Sequence, residues 1–285
     1  MTTQRSPFST SRLTNFLASY GSLVLVGLLI TIPLAWFLIT SFKPEEEYMS
    51  YPVRFLPRRL YLDTYNEALT MIPFFKFAGH SVFLSLTHTI LTVTTSAMAG
   101  FAFARFEVPG RNKLFVIVVA MLIVPVIIMQ IPQFIIFARL KITGTWWPWV
   151  LWGLAASPFY IFLFRQFFAA FPKELEDAAE IDGCGPFRTF RSIFLPNAKP
   201  IIATAFILNF TAQWGDYINP FLFLKDSNTT LAVKLQTGYL SPHGQTLTTI
   251  ILAAAVLYVL PVVIIFFLGQ KYILEGIVTS GLSGR

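Results

Sequence analysis

The chain has 285 residues, of which 55% are hydrophobic and 12% are charged. Soluble domains contain about 25% charged residues, so the composition excludes an ordinary soluble domain and indicates an integral membrane protein. The net charge of +7 does not point to nucleic acid, because the Lys and Arg residues are scattered between apolar runs. One cysteine and three dispersed histidines exclude a disulfide framework, a multi-cysteine metal site and an H-E-x-x-H zinc site.

Six long apolar runs follow one another along the chain. Each is long enough to cross a membrane, which takes roughly 20 mostly apolar residues. The first run is too long for the core of a cleaved signal peptide, and none shows the alternation of a membrane β-barrel. The sequence therefore predicts an all-α integral membrane protein with a single transmembrane domain over residues 1–285. The predicted membrane-spanning helices are 18–42, 77–104, 114–138, 146–168, 200–224 and 247–269.

The even number of predicted spans places both termini on the same side of the membrane. With the N-terminus inside, the cytoplasmic segments hold more of the 21 Lys and Arg residues than the outer segments. The positive-inside rule therefore favours cytoplasmic termini. The outer loop 43–75 contains several prolines and is expected to be a folded cap at most.

The loop between the fourth and fifth spans, residues 171–199, is unusually acidic. Pro172 suits the first turn of a helix and Gly183 suits its C-terminal stop, which predicts a short helix over 172–183. A second helix is predicted from Gly185-Pro186 onward. The positions that share one face of the first helix are Leu175, Ala178, Ala179 and Asp182. This helix is either an ordinary solvated loop helix or a projecting docking element.

One stretch of this loop resembles the signature loop of bacterial ABC-importer permeases. It reads Leu175-Glu176-Asp177-Ala178-Ala179-Glu180-Ile181-Asp182-Gly183, followed by Ile193 and Leu195-Pro196. In that family the loop has an E-A-A, then G, then I-x-L-P pattern, and it forms the coupling helix seated in a groove of the ATP-binding subunit. Here Asp177 replaces the usual Glu, and Cys184 replaces a small residue such as Ala. The resemblance implies ATPase docking by Leu175, Glu176, Asp177, Ala178, Ala179, Asp182 and Gly183.

Other segments are similar to carbohydrate permeases, and the ending resembles the smaller, maltose-type partner of a two-permease pair. These segments are Phe42-Lys43-Pro44, Ala99–Phe106, Gln130–Gln133, Leu140–Thr145, Trp214–Tyr217 with Pro220, and the ending Gln270-Lys271-Tyr272 with Gly276 and Gly281. Within the fifth segment, Gly215 and Asp216 replace the Asn and Glu of the family pattern.

The resemblance implies the permease subunit of an ATP-binding-cassette importer in a bacterial-type inner membrane. Its partners would be a second permease subunit forming a heterodimer, an ATP-binding subunit dimer, an extracytoplasmic solute-binding protein and the lipid bilayer, with no nucleic acid. The solute would be a sugar or sugar-like molecule. Because the chain lacks the G-x-x-x-x-G-K-[ST] motif that cradles ATP phosphates, we expect no cofactor on it. ATP and Mg would bind the partner ATPase, whose closure would pull the acidic helix.

Polar residues inside the predicted spans are candidates for a solute path or gate. Asp216 is the only acid inside a span, and such charges are costly enough to suggest function. It could equally be an interfacial structural acid. The further candidates are Asn209, Gln213, Asn219, Gln130 and Gln133. These side chains should face the bundle, where they either join helices or line a path. His88 is more typical of a packing histidine.

Two other classes of protein are alternatives to an ABC-importer permease. An ion-coupled secondary transporter should show matching halves with broken helices and charged residues near the midplane, and the halves of this chain do not match. A membrane-embedded enzyme needs a catalytic constellation at membrane depth. Asp216 and His88 lie on different spans and give thin support for such a constellation. The sequence predicts no catalytic residue and no metal site.

Overall fold

A computed structural model describes residues 10–282, with side chains over residues 19–272. Within this range the chain is helical and forms no β-strand, which confirms the predicted all-α class. In chain order the helices are α1 (Thr10–Thr40), α2 (Glu45–Tyr48), α3 (Asp63–Thr70), α4 (Phe74–Arg105), α5 (Arg111–Ala120), α6 (Val126–Arg139), α7 (Trp147–Leu154), α8 (Pro158–Ala169), α9 (Glu174–Ile181), α10 (Pro186–Thr189), α11 (Leu195–Asn197), α12 (Lys199–Trp214), α13 (Ile218–Phe223), α14 (Leu231–Thr237) and α15 (Thr248–Leu282).

Four helices in the described part of the chain are long and apolar enough to cross a membrane. They are Ser19–Thr40, Phe74–Arg105, Trp147–Ala169 and Thr248–Tyr272, and they overlap the first, second, fourth and sixth predicted spans. Two bent helix pairs raise the number to six if each pair is one span. The pairs are Arg111–Ile123 with Val126–Arg139, bent by 99°, and Pro186–Asn197 with Lys199–Trp214, bent by 80°.

The third predicted span, 114–138, is two helices and not one. Val124 is extended, with ψ 119°, and Pro125 follows it as the N-cap of α6. Proline has no N–H to donate and disfavours helical geometry in the preceding residue. The hydrophobic run continues through this point, so hydropathy alone conceals the break.

The fifth predicted span, 200–224, also ends early, because α12 stops at Trp214 and α13 begins only at Ile218. Gly215 is a poor helix former. Asp216 Oδ1 accepts the backbone N–H of Asn219 at 3.1 Å, which provides a side-chain acceptor at the start of α13. The candidates Asn209 and Gln213 therefore lie on α12, whereas Asp216 precedes α13 and Asn219 lies on it, so the four do not share one continuous helix.

Chain contacts divide the described residues into two compact units. The first comprises residues 10–71 and 239–257, where the predicted cap 43–75 contributes the ordered helices α2 and α3. The Glu45 carboxylate accepts the N–H groups of Thr248 and Thr249 at 3.1 and 2.9 Å. It thereby satisfies donors that the start of α15 would otherwise leave free.

The second unit comprises residues 72–238 and 258–282, with α4 packed against α7, α8 and α12. At the α4–α8 contact, a Cβ added to Gly100 would lie 2.5 Å from Phe164 Cβ and 2.9 Å from the backbone nitrogen of Arg165. Only glycine permits an approach this close. Phe164 also belongs to a hydrophobic core that includes the aromatic residues Phe101, Phe168 and Phe194.

Candidate functional site

The acidic helix predicted over 172–183 forms as α9 over the shorter range Glu174–Ile181, and Pro172 precedes the N-cap Lys173 instead of lying in the first turn. Its first turn carries three acids, which suit the positive end of a helix dipole. Gly183 has φ +73° and donates its N–H to Glu180 O at 2.9 Å, while Cys184 donates to Ala179 O at 2.8 Å. This pair of bonds is a Schellman motif, in which glycine takes the left-handed position. The predicted stop at Gly183 is confirmed.

The predicted docking residues are divided between two sides of α9. Ala179 is buried, with 2% of its surface exposed, and Glu176 Oε1 lies 2.9 Å from Arg105 Nε. Both side chains therefore face the rest of the chain. Because successive helical residues turn by about 100°, the opposite side presents Asp177, Ala178 and Ile181. The remaining predicted docking residues, Leu175, Asp182 and Gly183, are exposed.

Aromatic residues anchor the segment that follows α9. The chain restarts with Pro186 in the first turn of α10, as predicted, and continues through a π-helical turn over Phe190–Phe194. Phe190 and Phe194 are buried, and both rings contact Phe101 of α4. Phe187 is 65% exposed. The base of the loop is thus fixed in the core, whereas its tip is open.

The buried Asn209 joins α12 to α4. Its Oδ1 accepts a hydrogen bond from Thr89 Oγ1 at 2.9 Å and lies 3.1 Å from His88 Nδ1. Thr92 Oγ1 lies 3.3 Å from the same histidine nitrogen. Asn209 is 5% exposed and His88 is 8% exposed, so both side chains are buried as well as partnered. These bonds fit the helix-joining alternative.

Three other candidate residues form a chain of hydrogen bonds between α6 and α13. Gln130 Nε2 donates to Asn219 Oδ1 at 3.3 Å, and Asn219 Nδ2 donates to Asp216 Oδ2 at 2.8 Å. Within the described residues, Gln133 and Gln213 are half-buried and take no part in this series of hydrogen bonds. No group of three His, Cys, Asp or Glu residues that could hold a metal occurs between residues 19 and 272.

Sequence patterns alone do not single out Arg105, at the end of α4, or Ile181 on α9. Arg105 belongs to the carbohydrate-permease-like segment Ala99–Phe106, and the signal that points to it is a lone arginine at the end of a long apolar run. Ile181 is 87% exposed and lies between Glu180 and Asp182, so a large apolar residue between two acids is a second signal. The sequence could not show the direction in which either side chain points.

Similarity to known proteins identifies the family. The family described as "Binding-protein-dependent transport system inner membrane component" matches residues 93–278. The chain belongs to this family. The resemblance to ABC-importer permeases is therefore confirmed, and an ion-coupled secondary transporter is not favoured. The family is one of transport-system membrane components and not of enzymes.

Curated relatives resemble the permease over nearly its whole length. The arabinooligosaccharides transport system permease protein of Halalkalibacterium halodurans is 31% identical, over 96% of this chain and 99% of its own. The diacetylchitobiose uptake system permease protein of Streptomyces coelicolor is 30% identical, over 92% of this chain and 87% of its own. The sn-glycerol-3-phosphate transport system permease protein of Salmonella typhi is 30% identical, over 92% and 95%.

A solved structure shares the fold of the permease. It belongs to a bacterial ABC transporter involved in the import of the acidic polysaccharide alginate. The TM-score is 0.82 at 19% identity, and the match covers 94% of this permease and 100% of that chain. The bent helix pairs therefore belong to a fold that a transporter subunit is known to adopt.

Proposed function

We propose that this permease is a transmembrane subunit of an ATP-driven importer for a sugar or sugar-like solute. Family membership and the relatives' names support this, since arabinooligosaccharides, diacetylchitobiose and sn-glycerol-3-phosphate are all polyhydroxylated solutes or derivatives of them. It acts as one transmembrane domain of six spans with cytoplasmic termini. Its partners are a second permease, an ATPase dimer that binds ATP and Mg, and an extracytoplasmic solute-binding protein.

The exposed side of α9 is the observation on which the docking proposal rests. Ile181 leaves 87% of its surface exposed and Phe187 leaves 65%, although both belong to a charged loop and not to an apolar span. Large apolar side chains exposed beside polar residues commonly mark a protein contact. Asp177 and Ala178 share this side of the helix. We therefore place the groove of the ATP-binding subunit here, on the inner face of the membrane.

Coupling requires that movement of α9 reach the spanning helices. The rings of Phe190 and Phe194 connect the loop to α4 and α8, and Ala179 of α9 is buried, so a pull on α9 is resisted by packed side chains. A close-packed interior transmits such displacement because it has little free volume. The ATPase must hold α9 differently in its open and closed states, since only a difference in binding can shift the permease between conformations.

The solute path is proposed to run beside the hydrogen-bonded residues of α6 and α13. Gln130, Asn219 and Asp216 offer amide and carboxylate groups that suit a hydroxylated solute, and all three are half-buried. Gln133 and Gln213 extend the same polar surface. Asn209 forms part of the wall of this path and does not bind solute through its oxygen, because that oxygen already contacts His88 and Thr89.

The docking proposal is tested by Ile181→Asp. The complex is isolated from native membranes through an affinity tag on this chain, and the ATPase subunit recovered per permease is measured. We expect recovery to fall about tenfold, as for truncation of an interface hot spot. Ser192→Asp adds the same charge at another exposed position of the loop and should leave recovery unchanged. Undiminished recovery with Ile181→Asp contradicts the proposed docking.

A further inference from the structure

The guanidinium of Arg105, the last residue of α4, connects three segments of the second unit. Its Nη2 donates to Phe168 O at 2.8 Å and also to Phe171 O, at the end of α8. Its Nε lies 2.9 Å from Glu176 Oε1 on α9. The guanidinium carbon lies 5.0 Å from the centre of the Phe194 ring, in the segment after α9. The elements that flank α9 on both sides thus meet at one side chain.

Arginine has the shape that this position requires. Its planar group carries five N–H donors in a fixed fork and also stacks on aromatic rings. At Arg105, Nη2 donates to the two backbone carbonyls, Nε lies at ion-pair distance from the Glu176 carboxylate, and the guanidinium carbon lies over the Phe194 ring. The side chain is only 11% exposed, so water has little access to these contacts and does not compete strongly with them.

Glu176 is held by this arginine and is turned away from the exposed side of α9. Its side chain is 25% exposed. Among the described residues, neither Glu176 Oε1 nor Arg105 Nε has a hydrogen-bond partner, so the pair is an ionic contact without hydrogen-bond alignment. Removing either charge would leave the other partly buried and uncompensated, which is the costly way to break such a pair.

We propose that Arg105 is a positioning residue that sets the orientation of α9 through Glu176. This inference rests on the proposed docking function and assigns Glu176 to the chain's own interior instead of the ATPase groove. Arg105 then carries displacement of α9 directly to the ends of α4 and α8. The ATPase contact falls to Asp177, Ala178 and Ile181 on the opposite side of the helix.

A second ion pair between the same two regions offers a matched control. Lys173 Nζ lies 3.8 Å from Glu107 Oε1, and the two side chains are 70% and 81% exposed. Exposed pairs of this kind contribute little, because solvent screens them and long side chains lose freedom. Glu107→Gln therefore removes one charge near the start of α9 without disturbing a buried contact.

The first test follows amide hydrogen exchange of residues 174–184 in the full-length purified permease. In Glu176→Gln, which keeps the side-chain shape, we expect exchange to be at least about threefold faster. Glu107→Gln should leave exchange at the level of the unmodified protein. Unchanged exchange in Glu176→Gln overturns the inference, whatever the ATPase does.

The second test is a double-mutant cycle on ATPase recovery in the complex from native membranes. Arg105→Gln and Glu176→Gln should each reduce recovery, and the double variant should be no worse than Arg105→Gln alone, because both remove one contact. Arg105→Lys keeps the charge that faces Glu176 but loses the planar fork, so it should restore only part of the recovery lost in Arg105→Gln, and a general folding defect would not allow this partial rescue. Additive losses overturn the inference, since they mean that Glu176 binds the ATPase itself.

The two proposals can fail separately. If exchange of α9 rises in Glu176→Gln but ATPase recovery is insensitive to Arg105, Glu176 and Ile181, Arg105 positions the helix and the docking function is wrong. If Ile181→Asp abolishes recovery while Glu176→Gln changes neither measurement, docking stands and the role of Arg105 is refuted.

Discussion

At the scale of single residues, a few small or polar side chains determine how closely the helices approach. Gly100 brings α4 against the backbone of α8, and Asn209 gives two side chains of α4 a shared acceptor. Hydrogen bonds between membrane helices typically contribute about 0.6 kcal/mol each. The close contact at Gly100 therefore matters more for stability than any one of these bonds.

Gly100→Ala should destabilise the permease. The added Cβ would meet Phe164 Cβ at 2.5 Å and the Arg165 backbone nitrogen at 2.9 Å, and the backbone atom cannot turn aside. We expect a loss of about 1–3 kcal/mol, as for overpacking elsewhere, measured by thermal unfolding in detergent. Gly79 lies on the same helix with no atom within 4 Å of an added Cβ. Gly79→Ala should be neutral or stabilising, and equal effects of the two variants would contradict the close contact.

At the scale of elements, α9 is a helix that cannot persist alone. It has eight residues, whereas isolated helices shorter than about 12 residues are marginal in water. The Schellman turn at its end, the buried Ala179 and the contact of Glu176 with Arg105 supply what helix propensity does not. Its conformation consequently depends on the ends of α4 and α8.

Gly183→Ala should loosen the C-terminal end of α9. Gly183 has φ +73°, whereas Gly185 has φ −74°, and neither has an atom within 4 Å of an added Cβ. Alanine at Gly183 therefore meets backbone strain without a steric clash, at a cost of about 1 kcal/mol. We expect faster amide exchange at residues 180–184. Gly185→Ala serves as the control, and identical exchange in both variants would mean that the Schellman turn is not formed.

The sequence predicted elements well where local chemistry defines their ends. Gly183 and Pro186 carried the loop prediction, because proline and glycine have narrow positional preferences, whereas α9 begins at Glu174 and leaves Pro172 outside its first turn. The predicted spans were wrong at Pro125 and Gly215, where the apolar composition continues although the helix is interrupted. The sequence also did not show which side of α9 is buried. Ala178 and Ala179 are alike in sequence, and only packing shows that Ala179 is the buried one.

At the scale of the whole molecule, the proposed importer subunit with six spans requires the loop 171–199 and the segment 43–75 to lie on opposite sides of the membrane. Cys184 is the chain's single cysteine and is half-exposed, so it reports the side of the loop without other substitutions. A membrane-impermeant maleimide should label it in inside-out vesicles and not in right-side-out vesicles. Tyr51, which is 94% exposed, provides the reciprocal position as Tyr51→Cys in a Cys184→Ser background. Labelling of Cys184 from outside would reverse the proposed orientation.

The most direct measurement places a photoreactive amino acid at Ile181 in native membranes and identifies the cross-linked partner by mass spectrometry. The account predicts an adduct with an ATP-binding subunit, and a much weaker one from the same group at Ser192. An adduct with an extracytoplasmic protein, or adducts with lipid alone, would contradict the claim that α9 receives the work of ATP hydrolysis.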